Sequence, residues 1–202
     1  MPLQFRPDGT FTIVQFSDVH WQDGHEKDMQ SRRLIELVLD AERPDLVVLT
    51  GDNIAGGRCS DPIESLKQLV GTFEKLQVPW VAVFGNHDDE GSRSKAQLMA
   101  AMQEHPYCLS EPGPKNLSGI GNFALTVKPA ASDTPPAVLY CLDSGAYAPD
   151  GIGGYAWIPA NITNWYRDTS AEFAELYGEP LNALAFFHIP FPEFETVWEK
   201  GL

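Results

Sequence analysis

Aspartate, asparagine and histidine recur in this chain directly after short apolar runs, in pairings that can hold a cation or move a proton. Gly85-Asn86-His87-Asp88 is the densest of these groups. It follows Val81-Ala82-Val83-Phe84, an apolar run that reads as a buried strand. Gly85 lets the chain turn sharply where that strand ends. Asn86 offers a carbonyl oxygen to a metal ion, His87 can carry a proton near neutral pH, and Asp88 can steer His87 as an acid orients a catalytic imidazole. The same four residues also compose an ordinary hydrogen-bonded turn, and the motif alone does not choose. Asp18-Val19-His20 is a second pairing. Residues two apart in extended chain share one face, so Asp18 and His20 can chelate one ion; Asp18 is equally an ordinary turn cap. Asp52, in Thr50-Gly51-Asp52-Asn53, and His188 complete the set. A lone histidine at a strand end is ordinarily structural, so the case for His188 rests on the others.

These residues need elements to position them. Thr10 to Phe16 is β-branched and aromatic and reads as a strand. Asp28 to Glu42 reads as a helix with Leu34, Leu37, Val38 and Ala41 as its apolar stripe. Leu46 to Leu49 is apolar throughout, as strands buried on both faces tend to be. Asp61-Pro62-Ile63-Glu64 is a strong helix start, with a capping acid, a proline in the first turn and a glutamate three residues after the cap. Ile63, Leu66, Leu69, Val70, Phe73 and Leu76 form its stripe, and Val78 to Phe84 follows as a strand. Strand, helix, strand, helix, strand predicts an α/β fold with a parallel sheet. In such a sheet the strand ends at Asp18/His20, Asp52, Asn86/His87 and His188 lie along one edge, where open α/β sheets gather ligands.

The remainder predicts a helix from Ser92 to about Glu104, a loop over 106–120, an antiparallel pair from Gly121–Lys128 and Ala137–Leu142, a helix over Pro159–Tyr177 and a strand over Ala183–Phe187. Trp165 and Phe173 read as core anchors of the second of these helices. Asp143 is read as a turn acid, and His25 and His105 as solvated. Tyr147, Tyr155 and Trp157 lie in a glycine-rich loop and are read as cover for the core edge rather than as a pocket wall.

The 202 residues, 43% hydrophobic, suffice for one domain. No apolar run approaches a membrane span, and the first residues carry no signal pattern, so the chain reads as cytoplasmic. Net charge is −14, which disfavours a nucleic-acid backbone or an anionic membrane as partner. Cys59, Cys108 and Cys141 match no zinc or redox spacing; Cys141 reads as a core thiol.

Four such strand ends in one chain are far harder to produce by chance than any one of them. Carboxylate, imidazole and amide oxygen together suit Mn, Fe or Zn better than calcium. In order, Asp18-Val19-His20, Gly51-Asp52, Gly85-Asn86-His87-Asp88 and His188 resemble the ordered blocks of the calcineurin-like metallophosphoesterases. Leu49-Thr50-Gly51-Asp52-Asn53, Leu142-Asp143-Ser144-Gly145, Gly154-Tyr155-Ala156-Trp157-Ile158 and Phe187-His188-Ile189-Pro190 resemble a subgroup placed with the purple acid phosphatases. The resemblance implies a four-layer αββα sandwich with mixed sheets and a dinuclear site that hydrolyses a phosphoester with metal-activated water. It implies Asp52 as the bridge, Asp18 and His20 on the first metal, Asn86 and His188 on the second, and His87, steered by Asp88, at the leaving oxygen. Two departures follow. The position of the chromophoric tyrosine holds Ala55, so no purple colour is expected; and the family's final Gly-His-x-His block and C-terminal strands are absent, so residues 1–202 read as a single domain cut short. The alternatives are a non-catalytic binding scaffold on the same fold and a nuclease of that fold.

Overall fold

The computed structural model describes residues 2–130 and 136–201. Most of the proline-rich connection before Ala137 lies outside them.

Three parallel strands carry the first half of the chain: β2 (Ile13–Phe16), β3 (Leu46–Thr50) and β4 (Trp80–Val83). Ile13 pairs with Leu46 and Val47 with Trp80, so β3 is central and every residue in it is buried. Between them run α1 (Glu26–Glu42) and α2 (Pro62–Leu76), and α3 (Lys95–Met102) follows β4. These helices cover one face of the sheet, packing Ile35, Leu39, Leu66, Phe73, Leu98 and Met102 against Val47, Leu49 and Ala82. Each fully buried side chain of this size contributes about 1.5–3 kcal/mol.

The helix starts follow the sequence. Asp61 accepts a hydrogen bond from the Ile63 amide ahead of Pro62, and Ser94 caps α3 with Gln97 reaching back to the Ser94 amide. The expected stripe of α1 is corrected. Leu34 and Leu37 face solvent, and the helix instead buries Ile35, Leu39 and the carboxylate of Asp28. Asp28 accepts from the amides of Gln22 and His25, at 3.0 and 2.8 Å, and so sets the rotation of the first turn. His105 is corrected too: it is half-buried, edge-on to the Trp80 ring.

The second sheet has the order β1 (Leu3–Gln4), β5 (Phe123–Lys128), β6 (Ala137–Cys141), β7 (Ala183–Phe186). β5 and β6 are antiparallel as expected, and β1 and β7 join parallel at the two edges. Its inner face meets the first sheet: Val127, Leu139, Cys141 and Phe186 pack against Leu46, Val48, Val81 and Val83. Its outer face is covered by α4 (Ala160–Tyr177), with Ile162 buried and Trp165 and Phe173 packed beside Val138 and Tyr140. The layers are therefore helices, sheet, sheet, helix: a four-layer αββα sandwich. A last helix, α5 (Pro192–Glu199), buries none of its residues.

Candidate metal centre

The loops after β2, β3 and β4 stack beside one another. Asp18, His20 and Trp21 donate their amides to the carbonyls of Gly51, Asp52 and Asn53, at 3.1, 2.9 and 3.0 Å. Asp18, His20 and Asp52 hold φ of 55°, 49° and 50°. Left-handed backbone costs an ordinary residue about 1–2 kcal/mol, and Asp is among the few types that tolerate it. Asp18 and His20 thus do not share a face as extended chain would have them; two left-handed residues swing them together, with His20 Nε2 3.9 Å from Asp18 Oδ1.

The fourth expected strand end belongs to the other sheet. His188 follows β7, so the centre sits where the two sheets meet rather than along one parallel edge. Ser144, just past β6, accepts the His188 and Ile189 amides on its hydroxyl, at 3.3 and 2.8 Å, and fixes this turn. His188 Nδ1 then lies 2.9 Å from the Thr50 carbonyl. A carbonyl only accepts, so Nδ1 carries the proton and Nε2 faces Asp52. Glycine is required here twice. A Cβ on Gly51, at φ +98°, would strike the His188 ring, and one on Gly85 would strike the Asp52 carboxylate. Gly85 therefore serves close approach; Gly51, not Gly85, supplies the positive φ.

Asp52 is 3% exposed and central. Its Oδ2 lies 3.3 Å from His188 Nε2, 3.5 Å from His20 Nε2 and 4.0 Å from His87 Nε2, while Oδ1 accepts the His87 amide at 2.9 Å. Burial works to raise its carboxyl pKa; the His188 contact and the His87 amide outweigh that and hold it below the usual value. Burial likewise opposes the His188 imidazolium, and Asp52 overcomes it, raising the His188 pKa. Among the described residues, two sets of donors lie within 4.8 Å of one another: His20, Asp52 and His87, and Asp18, Asp52 and His188. Asp52 is common to both, as a bridge must be. Around it, His20 lies beside His87, ring centroids 5.0 Å apart, and His188 lies beside Asp18.

The donor set fits a pair of transition-type cations. It is nitrogen and carboxylate oxygen with no thiol. Metal–ligand bonds of about 2.0–2.2 Å put neighbouring donors about 3–3.5 Å apart, near the closer separations around Asp52 Oδ2.

Asp88 does not steer His87. Its carboxylate is 1% exposed and accepts the amides of Asn53, Ile54 and Gly85 at 2.9, 3.1 and 2.7 Å, with the Asn53 side chain at 3.3 Å. It ties the loop after β3 to the loop after β4. Burial pushes its pKa up to about 6 against the pull of the Gly85 and Ile54 amides. His87 takes Glu90 instead: Nδ1 to Oε2 is 2.7 Å. Glu90 Oε1 accepts the Tyr147 hydroxyl at 2.5 Å, and that hydroxyl accepts from Asn86 Nδ2 at 3.0 Å. The Tyr147 and His87 bonds hold the Glu90 carboxyl below the usual carboxylate range. Tyr147 is thus no cover for the core edge. Sequence reasoning missed Glu90, although it is a carboxylate three residues beyond His87, and it set aside the pocket-wall reading of Tyr147, whose distance in sequence from His87 hides the link. Asp143 is a structural acid, paired with Lys95 Nζ at 3.0 Å and accepting the Ile120 and Gly145 amides.

Beside His87 and His20 opens a cavity of about 600 Å³. Its lining includes His25, Lys27 and Arg58, together with Asp28 and Glu90.

A sequence profile described as Calcineurin-like phosphoesterase matches residues 11–197. The chain belongs to this family. Its relatives are purple acid phosphatase-like. An Arabidopsis thaliana protein named "Probable inactive purple acid phosphatase 28" is 31% identical over 98% of this chain and 58% of its own length. "Phosphatase DCR2" of Saccharomyces cerevisiae is 34% identical over 98% of this chain and 38% of its own. The chain therefore spans less than two thirds of either relative. A dimetal phosphatase from Danio rerio superposes with a TM-score of 0.61 at 15% identity, covering 89% of this chain and 70% of that one, a likeness of fold. No helix among the described residues is long and apolar enough to cross a membrane.

Proposed function

We propose that the protein hydrolyses phosphate monoesters or diesters with water at a two-cation centre. The observation that carries this reading is the buried Asp52, whose one carboxylate oxygen stands within 4.0 Å of imidazole nitrogens from three separate loops. Asp18, His20, Asp52, Asn86 and His188 would hold the cations, whether Mn, Fe or Zn, with Asp52 shared between them; His87 is kept for the leaving oxygen. When bound, such a pair clamps a phosphate ester and acidifies water. The chain's own part is to orient these groups and, with His87 as the imidazolium, to pass its Nε2 proton to the leaving oxygen as the ester bond breaks, which leaves the neutral ring with its proton on Nδ1.

The cavity next to His87 takes the leaving alcohol. Its two acids are already committed, Asp28 to the Gln22 and His25 amides and Glu90 to His87 and Tyr147. Lys27, Arg58 and His25 are the lining groups whose donors remain to meet a polar or anionic group on the leaving alcohol. The name "probable inactive" on a relative favours a second reading, a scaffold that binds cations and phosphate without turnover.

The test is to add Mn or Zn to the purified chain, measure metal per chain, and follow hydrolysis of aryl phosphates with and without a carboxylate on the ring. Two cations per chain and turnover lowered about 10²–10⁴-fold by His87→Asn support hydrolysis, and preference for the carboxylate-bearing ester supports contact with Lys27, Arg58 and His25. Two cations with no turnover leaves the scaffold.

A further inference from the structure

We infer that Glu90 and Tyr147 are positioning residues, which through one hydrogen-bond chain fix both the tautomer of His87 and the orientation of the Asn86 amide. The inference rests on the hydrolytic reading for its purpose, though not for its geometry. The chain runs Asn86 Nδ2, Tyr147 hydroxyl, Glu90 carboxylate, His87 Nδ1, with links of 3.0, 2.5 and 2.7 Å.

Its direction follows from which groups have protons to give. An ionised carboxylate only accepts. Glu90 Oε2 therefore holds a proton on His87 Nδ1 in the neutral ring and in the imidazolium alike, so Nε2, on the side facing Asp52, is the nitrogen that takes up and gives away a proton. Glu90 Oε1 takes the single proton of Tyr147. The Tyr147 oxygen can then only accept from its other neighbour, so Asn86 must turn its NH₂ toward Tyr147. The Asn86 carbonyl oxygen is the atom left over, and it is the one that suits a cation. One charge, on Glu90, thus sets a proton position at one end of the chain and the side-chain flip at the other. Hydrogen bonds to a charged group of this kind are about twice as strong as neutral ones.

The device also ties a loop to the centre. Tyr147 lies 57 residues from Glu90 in sequence, is 51% exposed, and stacks on Tyr155 with centroids 6.2 Å apart. Little of its ring is used in the core, so the hydroxyl is its main attachment. Tyr147→Phe keeps the ring and its stacking and removes only the bonds of the hydroxyl.

The experiment compares the 202-residue chain with Glu90→Ala, Tyr147→Phe and the double variant, after thermal melts confirm folding. The first readout needs no metal: nitrogen-15 spectra of the imidazoles, with His87 assigned by His87→Asn. His87 shows the Nδ1–H tautomer in the parent and in Tyr147→Phe, and loses that preference in Glu90→Ala. Tyr147→Phe instead releases the Asn86 side-chain NH₂ to fast hydrogen exchange. The second readout uses Mn-loaded protein and two esters. Glu90→Ala lowers turnover of an alkyl phosphate by about 10²-fold or more, the scale of lost proton transfer, and of a nitrophenyl phosphate, whose leaving group needs no proton, by much less. An unchanged His87 tautomer in Glu90→Ala overturns the inference, as does an equal loss on both esters. If the parent turns over neither ester, the hydrolytic reading fails by itself, and the tautomer and exchange measurements still decide the positioning.

Discussion

His87 donates its amide to the Asp52 carboxylate, yet the proposed function gives the two opposite duties, and one pair of substitutions separates them. His87→Asn is expected to lower turnover by about 10²–10⁴-fold while leaving bound metal near the parent level, because it removes proton transfer rather than charge. Asp52→Asn is expected to strip metal from both sets of donors, since Asp52 is common to them. Elemental analysis beside kinetics checks both, and the reverse pattern would overturn the assignment. Asp23 offers a pH test away from the centre. Its carboxylate accepts the Ser65 hydroxyl at 2.7 Å and the Ser60 amide at 2.9 Å, which lowers its pKa. A depressed folded-state pKa gives stability that is present above the unfolded value, near 3.8, and lost as pH falls through the folded one. Asp23→Asn should therefore lower the urea midpoint at pH 7, and the gap should narrow toward pH 3. At this scale the sequence was legible where residue type decides the chemistry: Asp18, His20, Asp52 and His188 do converge. It was misleading over Asp88, because adjacency in sequence does not say which side chain turns inward. Asp88 turned toward three amides, and Glu90 was left to face His87.

Among the elements, α3 and the turn after β6 are held together by a charge pair with little access to water. The Lys95 and Asp143 side chains are 11% and 2% exposed, and Lys95 also sits over the Phe84 ring. Removing one partner of a buried pair costs about 3–5 kcal/mol, because the other charge is stranded. Asp143→Ala should show a loss of that order in chemical denaturation. Lys95→Met should cost less, since Asp143 keeps the Ile120 and Gly145 amides. The strands and α2 were readable from runs and caps. The stripe of α1 was not, because a buried carboxylate, invisible to a count of apolar residues, fixes that helix's rotation. The second sheet was half legible. Its antiparallel pair followed from pattern, but β1 is too short to announce itself, and β7 joins from the far end of the chain as a parallel neighbour of β6.

For the molecule as a whole, cation binding and folding are one equilibrium. A cation at about 100 times its dissociation constant adds about 2.7 kcal/mol to the folded state. Added Mn or Zn should raise the melting temperature of the parent chain and leave that of Asp52→Asn nearly unchanged, as differential scanning fluorimetry would show. Placing His188 on the second sheet has a consequence in time. The segment from β2 through β4 is built of neighbouring pairings and already contains Asp18, His20, Asp52, Asn86 and His87. His188 arrives only when β7 has found β6 across more than forty residues and laid its ring against the Thr50 carbonyl. Pairings of that span form late. During refolding, a loose first affinity for cations should therefore precede a tight one, and the interval between them is a clock for the docking of the two sheets. His188→Ala would leave the first stage and erase the second.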